Sequence, residues 1–342
     1  MEAKAIDIIK ELPVFSWKAF EKKYLVNRAV TNTIDHAFST YAAELRTQQR
    51  IGTAVSYECA GKSLSKFKPD TKFTDVTKEF LQKYEQWTLN KDNSISTVGI
   101  YLRSLRTLFN NAIAEGELHK DYYPFGRRKY EIPSSENNKK ALTLQDVHLI
   151  FNYQVPAKVG STIERSRDYW VFSYLCYGIN IKDIALLKYR NIKGGEFIEF
   201  VRAKTVRTKR TKVEAIRVLL TNEAKAIIKK HGNNDDDSDN YIFPILSPGL
   251  TAERTYQVIQ QTVRLVNDHM KLITNDLKIE GTVTTYSARH SFSTILKRSG
   301  ISTEFISEAL GHADIRTTRN YLASFEDDKR LEASKALTNF KK

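Results

Sequence analysis

Cysteine is nearly missing from this chain. Two occur in 342 residues, Cys59 and Cys176, far apart and in no CxxC or Cys/His cluster. That argues against a disulfide framework and a zinc site, and it fits a reducing compartment. Long apolar runs are missing too: the longest, 169–181, is too short to span a bilayer and contains tyrosine and asparagine. The opening MEAKAIDIIK carries Glu2, Lys4, Asp7 and Lys10 where a secretory leader needs an apolar core. There is no metal-ligand spacing, no Walker-type Gly-rich loop and no internal repeat. These absences predict a cytoplasmic protein with no membrane segment, no metal and no cofactor.

What is present is a foldable and basic chain. Hydrophobic residues make up 41% and charged residues 27%, which excludes a disordered tail, a collagen-like repeat and a small disulfide scaffold. The length suits about two domains. Lysine and arginine number 54 against 40 aspartate and glutamate, a net charge of +14. The excess is spread, with 23 basic and 17 acidic residues before 141 and 31 and 23 after it. Both halves are thus candidates for touching one polyanion.

The first 32 residues read as a lead-in segment, and 33–118 as helical. Thr97 is placed to cap a helix in which Ile100, Leu105, Leu108, Phe109, Ala112 and Ile113 recur at three- and four-residue steps. Its other face carries Arg103 and Arg106, and an earlier helix near 53–67 offers Lys62 and Lys66. Such pairs are either solvated faces or phosphate contacts; several in one basic domain favour phosphate. Residues 119–140 hold two prolines, two serines, two asparagines and six basic residues, Arg127 and Arg128 among them. They predict an extended basic linker. Thr143 and Asp146 form a capping-box start for the second domain, 141–342. Helices dominate it, apart from EFIEFV and VEAIRVLL, read as two strands around a positive turn. The acidic loop 232–240 points away from the anion.

Chemistry concentrates in 284–321. TTYSARHSFSTIL puts Arg289 and His290 at the start of an apolar helix. ISTEFISEALGHADIRTTRNY adds a helix capped by Ser302, with Phe305, Ile306, Ala309 and Leu310 inward and Gly311 at its end. His312 follows, and Tyr321 lies nine residues on. These features resemble the tyrosine site-specific recombinases, or phage integrases: the ARH of 288–290, the LGH of 310–312 with Thr318, and Tyr321 at the family's spacing. YGINIKDIALLKYRNI (177–192) is similar to the family's first box, with Asp183 at its acidic position, and Lys204 matches the lysine of its β-hairpin, on which Lys209 and Lys212 also lie as alternatives.

The chemistry accounts for such a set. A tyrosine hydroxyl, with a pKa near 10, is a poor nucleophile at neutral pH. Attack on a DNA phosphodiester needs cations on the non-bridging oxygens and a proton donor for the leaving 5′-hydroxyl. Arg289 can present a planar fork to a phosphate, which lysine cannot. The resemblance implies that Tyr321 forms a 3′-phosphotyrosyl link, that Lys204 is the general acid, and that His312 bonds a phosphate oxygen or positions the nucleophile. His290 is read as catalytic, with a structural role as its alternative. Two positions depart from the family: Asn180 replaces the first-box arginine, and Tyr286 stands where the second box carries histidine. Both can still donate a hydrogen bond to phosphate. Lys182, Arg165 and Arg167 are candidates for the missing cation. Integrases of Bacteroidetes-type mobile elements resemble the chain in tolerating both changes.

The resemblance implies a multidomain fold: an all-α core-binding (SAM-like) domain and a mostly α catalytic domain with a small antiparallel β-sheet, clamping duplex DNA. Lys62, Lys66, Arg103, Arg106, Arg127, Arg128 and Lys182 are the candidate DNA contacts. The expected partners are double-stranded DNA, three further copies making a homotetramer on two sites, and accessory DNA-bending proteins. Residues 326–340 pack on their own domain or dock on a neighbour. A separate arm-binding domain is expected to be absent or truncated. The expected setting is the bacterial cytoplasm, at the nucleoid. Two alternatives stay open: a DNA-binding protein disabled at Asn180 and Tyr286, and a type IB topoisomerase-like enzyme.

Overall fold

The structure is a computed structural model, and it describes residues 33–134, 141–155, 161–204 and 215–311, together with Ala5, Ile6, Ile9, Lys10, Trp17, Phe20 and Thr318. His312, Tyr321, the hairpin turn beyond Lys204 and the segment 326–340 lie outside the described residues. The chain divides into two compact units, 1–137 and 138–342.

In the first unit, α1 (Ile34–Thr47), α2 (Ile51–Phe67), α3 (Lys78–Leu89) and α4 (Ile95–Ala114) surround one core. α4 shows how the sequence specifies this. Val98, Leu102, Leu105, Phe109 and Ala112 recur at helical spacing and are all buried, while Arg103 and Arg106 are exposed on the opposite side. The helix begins one turn before the predicted cap. Ser94 Oγ, not Thr97, accepts the first orphan amide, from Thr97 N at 3.2 Å. The earlier start adds Ile95, Ser96 and Thr97 to the helix ahead of the buried Val98.

Residues 119–134, predicted as an extended linker, are tied to this unit. Phe125 and Tyr130 are buried with Phe109, and Tyr130 donates to Glu85 Oε2 at 2.7 Å. Apolar aromatics among the basic residues draw the segment onto the core. Arg127 and Arg128 stay exposed beside them.

The second unit is built around α6 (Ser161–Leu175), whose Trp170 and Phe172 are fully buried. Against it pack α5 (Leu144–Asn152), α7 (Ile181–Leu186), α8 (Asn222–His231), α9 (Ala252–Asp276) and α10 (Thr285–Arg298). α11 (Thr303–Ala309) follows α10. α5 opens with the predicted capping box: Asp146 N donates to Thr143 Oγ1 at 3.1 Å, and Thr143 N to Asp146 Oδ2 at 2.9 Å. Ser302 caps α11 as predicted. Phe305 is 46% exposed rather than inward, because two turns of helix present only Ile306, Ala309 and Leu310 to the core.

The sheet has three antiparallel strands in the order β1-β2-β3: Ile192–Lys193, Phe197–Phe200 and Ile216–Leu219. Ile198 pairs with Ile192 on one side and Val218 on the other. The sequence predicted β2 and β3; the two-residue β1 carried no periodic signal.

Candidate active site

The site forms where four separated segments meet. α6 ends in a turn through Tyr177 and Gly178, both with positive φ, at +59° and +67°. Ser173 Oγ fastens this turn by donating to the Ile179 carbonyl at 2.6 Å. α10 brings Arg289 against it. Trp170 Nε1 donates to the Thr284 carbonyl at 2.9 Å, and Thr285 N to Asn267 Oδ1 at 2.8 Å, so the start of α10 is held from α6 and α9.

Arg289 is 2% exposed. Its Nη1 donates to the Gly178 carbonyl at 2.9 Å and its Nη2 to the Leu310 carbonyl at 2.5 Å. Two backbone carbonyls from opposite sides thus fix the plane of the fork. A Cβ on Gly178 would lie 2.7 Å from the Arg289 Cα, so only glycine allows this approach.

The arm leaving β2 closes the site. Ala203 N donates to Asp183 Oδ1 at 2.9 Å, and Asp183, 6% exposed, sits in the first turn of α7. The tether fixes the peptide between Arg202 and Lys204. Arg202 Nη1 then donates at 3.0 Å to the Leu310 carbonyl, the oxygen that also receives Arg289. Burial and the neighbouring Arg202 charge push the Arg289 pKa down to about 9, with Asp183 opposing.

The predicted residues divide as follows. The structure brings together Arg289, Asn180, Asp183 and the arm bearing Lys204. Lys204 itself is exposed at the end of that arm. Asn180 is the N-cap residue of α7, and its Nδ2 lies 3.4 Å from Asp183 Oδ2. Tyr286 and His290 pack edge to face, ring centroids 4.8 Å apart, and His290 is buried. Thr318 is fully buried. Lys182 is exposed on α7. Arg167 is committed elsewhere, to Asp168 at 2.6 Å, Glu164 and the Tyr153 carbonyl, so it does not supply the missing cation. Arg165, half-buried, lies near Tyr169. Sequence reasoning passed over Arg202, whose only signal was its place two residues before Lys204.

In the first unit Lys62, Lys66, Arg103 and Arg106 are exposed. Among the described residues no group of three or more His, Cys, Asp or Glu is placed to hold a metal ion, and no helix is long and apolar enough to cross a membrane.

Fold and site together bring two guanidinium groups, those of Arg289 and Arg202, onto one carbonyl beside an arm that carries a lysine. The phage integrase SAM-like domain matches residues 33–132, and the phage integrase family matches 166–327. The chain belongs to the phage integrase family: it is a site-specific tyrosine recombinase, a DNA strand transferase. No curated protein sequence matches it. Among solved structures it is similar to the Tn1549 transposon integrase in complex with transposon right-end DNA, at 15% identity and a TM-score of 0.59, over 90% of this chain and 99% of that one. It is also similar to a lambda integrase dimer bound to a core site, at 16% identity and 0.58, over 86% and 98%. A lambda integrase tetramer on a Holliday junction matches at 15% and 0.54, over 94% and 85%. At these identities the likeness is one of fold: mostly helical, with the same small antiparallel sheet.

Proposed function

We propose that the chain cuts and rejoins duplex DNA with Tyr321 as nucleophile, for the integration, excision or inversion of a mobile element. The observation that carries this reading is the anchoring of Arg289 on the Gly178 and Leu310 carbonyls beside the Asp183-tethered arm. It assembles three of the expected boxes around one buried fork. In the reaction the Tyr321 oxygen bonds to phosphorus, the phenol gives its proton to solvent water, and the bond from phosphorus to the 5′-oxygen breaks. Lys204 gives that oxygen a proton, so the products are a 3′-phosphotyrosine and a free 5′-hydroxyl. A second strand's 5′-hydroxyl reverses the step. Arg289 neutralises the charge that grows on the non-bridging oxygens, and His312 positions the phosphate or the tyrosine. His290, buried against Tyr286, orients the second turn of α10. Tyr286 and Asn180 stand in for the usual donors, as in integrases of Bacteroidetes-type elements.

The partners in this reading are double-stranded DNA and three further copies, with residues 326–340 docking on a neighbour. Accessory DNA-bending proteins and a cytoplasmic, nucleoid setting complete it. It is supported by the family match and by the relatives of like fold solved on DNA. Residues 1–32 act as the lead-in, 33–118 as the core-binding domain, 119–140 as the crossing segment and 141–342 as the catalytic domain. Lys62, Lys66, Arg103, Arg106, Arg127, Arg128 and Lys182 contact the DNA backbone.

The test is a nicked duplex selected from a random pool for tight binding to the wild-type chain, run on a denaturing gel. A covalent band formed by wild type and lost in Tyr321→Phe, with duplex binding kept, establishes the nucleophile. Binding without any adduct overturns the catalytic reading and leaves a DNA-binding protein.

A further inference from the structure

We infer that Arg202 is a phosphate-binding residue of this site, supplying the cation that Asn180 cannot. The inference rests on the recombinase reading above and deepens it. Asn180 carries no charge, and its amide is turned to Asp183. Of the other candidate cations, Arg167 is held by Asp168, Arg165 lies near Tyr169, and Lys182 is exposed on α7. Arg202, in contrast, reaches the carbonyl oxygen that Arg289 reaches, at 3.0 Å against 2.5 Å. Two guanidinium groups that meet on one oxygen in the free protein are spaced to share one anion. A phosphate carries two non-bridging oxygens, one for each fork.

The surroundings hold Arg202 there. The Asp183 carboxylate takes the next peptide N–H, from Ala203, so the arm cannot swing without breaking a bond to a buried charge. Leu310 ends α11, where the unsatisfied carbonyls of a last helical turn gather partial negative charge. That carbonyl serves as a holding point for both forks until the phosphate arrives.

Asp183 thereby becomes a positioning residue. Its carboxylate faces Asn180 and the Ala203 peptide, and its charge acts on Arg289. It acts on the DNA through Arg202, Lys204 and Arg289.

The experiment uses the full chain and the nicked duplex described above, made once with an ordinary phosphodiester and once with a methylphosphonate at the scissile position, both diastereomers. The methyl group removes one charged oxygen and with it the need for a second cation. Arg202→Ala should slow adduct formation by roughly 10²–10³-fold on the phosphodiester, the usual cost of losing one transition-state donor. The deficit should shrink to about tenfold or less on at least one methylphosphonate diastereomer, because the neutral centre asks less of the site. A misfolded fraction lowers both rates by the same factor and leaves their ratio unchanged. Arg202→Ala as fast as wild type, or equally slow on both substrates, overturns the assignment of Arg202 while the Tyr321 reading stands. If wild type forms no adduct on the phosphodiester, the Tyr321 reading itself fails.

Discussion

At Gly178 one missing carbon decides whether the site can assemble. The backbone there has φ +67°, and a Cβ would meet the Arg289 Cα at 2.7 Å. Gly116 has nearly the same conformation, φ +72°, but open space around it. Alanine at Gly116 should therefore cost only the left-handed strain, about 1–2 kcal/mol. Gly178→Ala should cost that and a further ~1–3 kcal/mol from overpacking, and it should slow adduct formation more than its stability loss accounts for, because Arg289 is pushed off its two carbonyls. Urea midpoints for both variants, with adduct rates on the nicked duplex, check this; equal effects at the two glycines refute it. Arg289→Lys makes a related point. Lysine keeps the charge but cannot hold both carbonyls and present a planar face, so adduct formation should fall by at least about 10²-fold with little change in duplex binding. A lysine variant within a few-fold of wild type would show that charge alone suffices.

Between elements, a polar cluster around the buried Asp168 joins α6 to α8. Asp168 is 5% exposed and receives His231 at 2.7 Å, Arg167 at 2.6 Å and Lys230 at 3.0 Å, with Glu164 also against Lys230. Burial raises its pKa, but the hydrogen bonds from His231 and Arg167 outweigh that and bring it to about 2. A carboxyl depressed in the folded state stabilises above its ordinary value of 3.8 and loses that contribution as pH falls towards 2. The contribution is about 2 kcal/mol. Asp168→Asn should be less stable than wild type by ~3 kcal/mol at pH 7, since it takes the nearest carboxylate from the part-buried Arg167, and the gap should narrow by about 2 kcal/mol between pH 5 and pH 2. Urea unfolding across that range measures it, and a gap that does not move with pH counts against the clasp. Nothing in the sequence announced this cluster, because its members come from two helices that only the fold brings together. The helix starts were legible wherever a side chain speaks for its own backbone: Thr143 with Asp146, and Ser302. The reading slipped by one turn at Thr97, where two good capping residues stand three apart and the chain uses the earlier, Ser94. It slipped again at Phe125 and Tyr130, whose apolar pull was hidden among prolines and basic residues. Arg289 was found because a local motif surrounds it; Arg202 was not, because its partner carbonyl at Leu310 lies 108 residues away along the chain.

On the scale of the whole molecule, the question is what a net charge of +14 does. Charge for solubility alone would leave no pattern in DNA binding. Charge that contacts phosphates releases counterions, and the logarithm of the binding constant then falls linearly with the logarithm of salt, by about 0.9 per phosphate neutralised. Lys62 and Lys66 on α2, and Arg103 and Arg106 on α4, are exposed and outside the core, so changing them leaves the packing of the first unit intact. If all four meet phosphate, replacing them together with alanine should flatten the salt slope by roughly 3–4 and weaken binding to every duplex sequence alike. Arg127→Ala with Arg128→Ala should take away roughly 2 more. The covalent step, normalised to bound DNA, should keep its wild-type rate, since none of these side chains belongs to the unit that holds Arg289. Filter binding between 50 and 300 mM salt gives the slopes, and thermal melting without DNA confirms that the fold is kept. An unchanged slope in the fourfold variant would make those helix faces merely solvated and shift the DNA-binding charge to the second unit, which alone carries 31 basic residues against 23 acidic ones after residue 140.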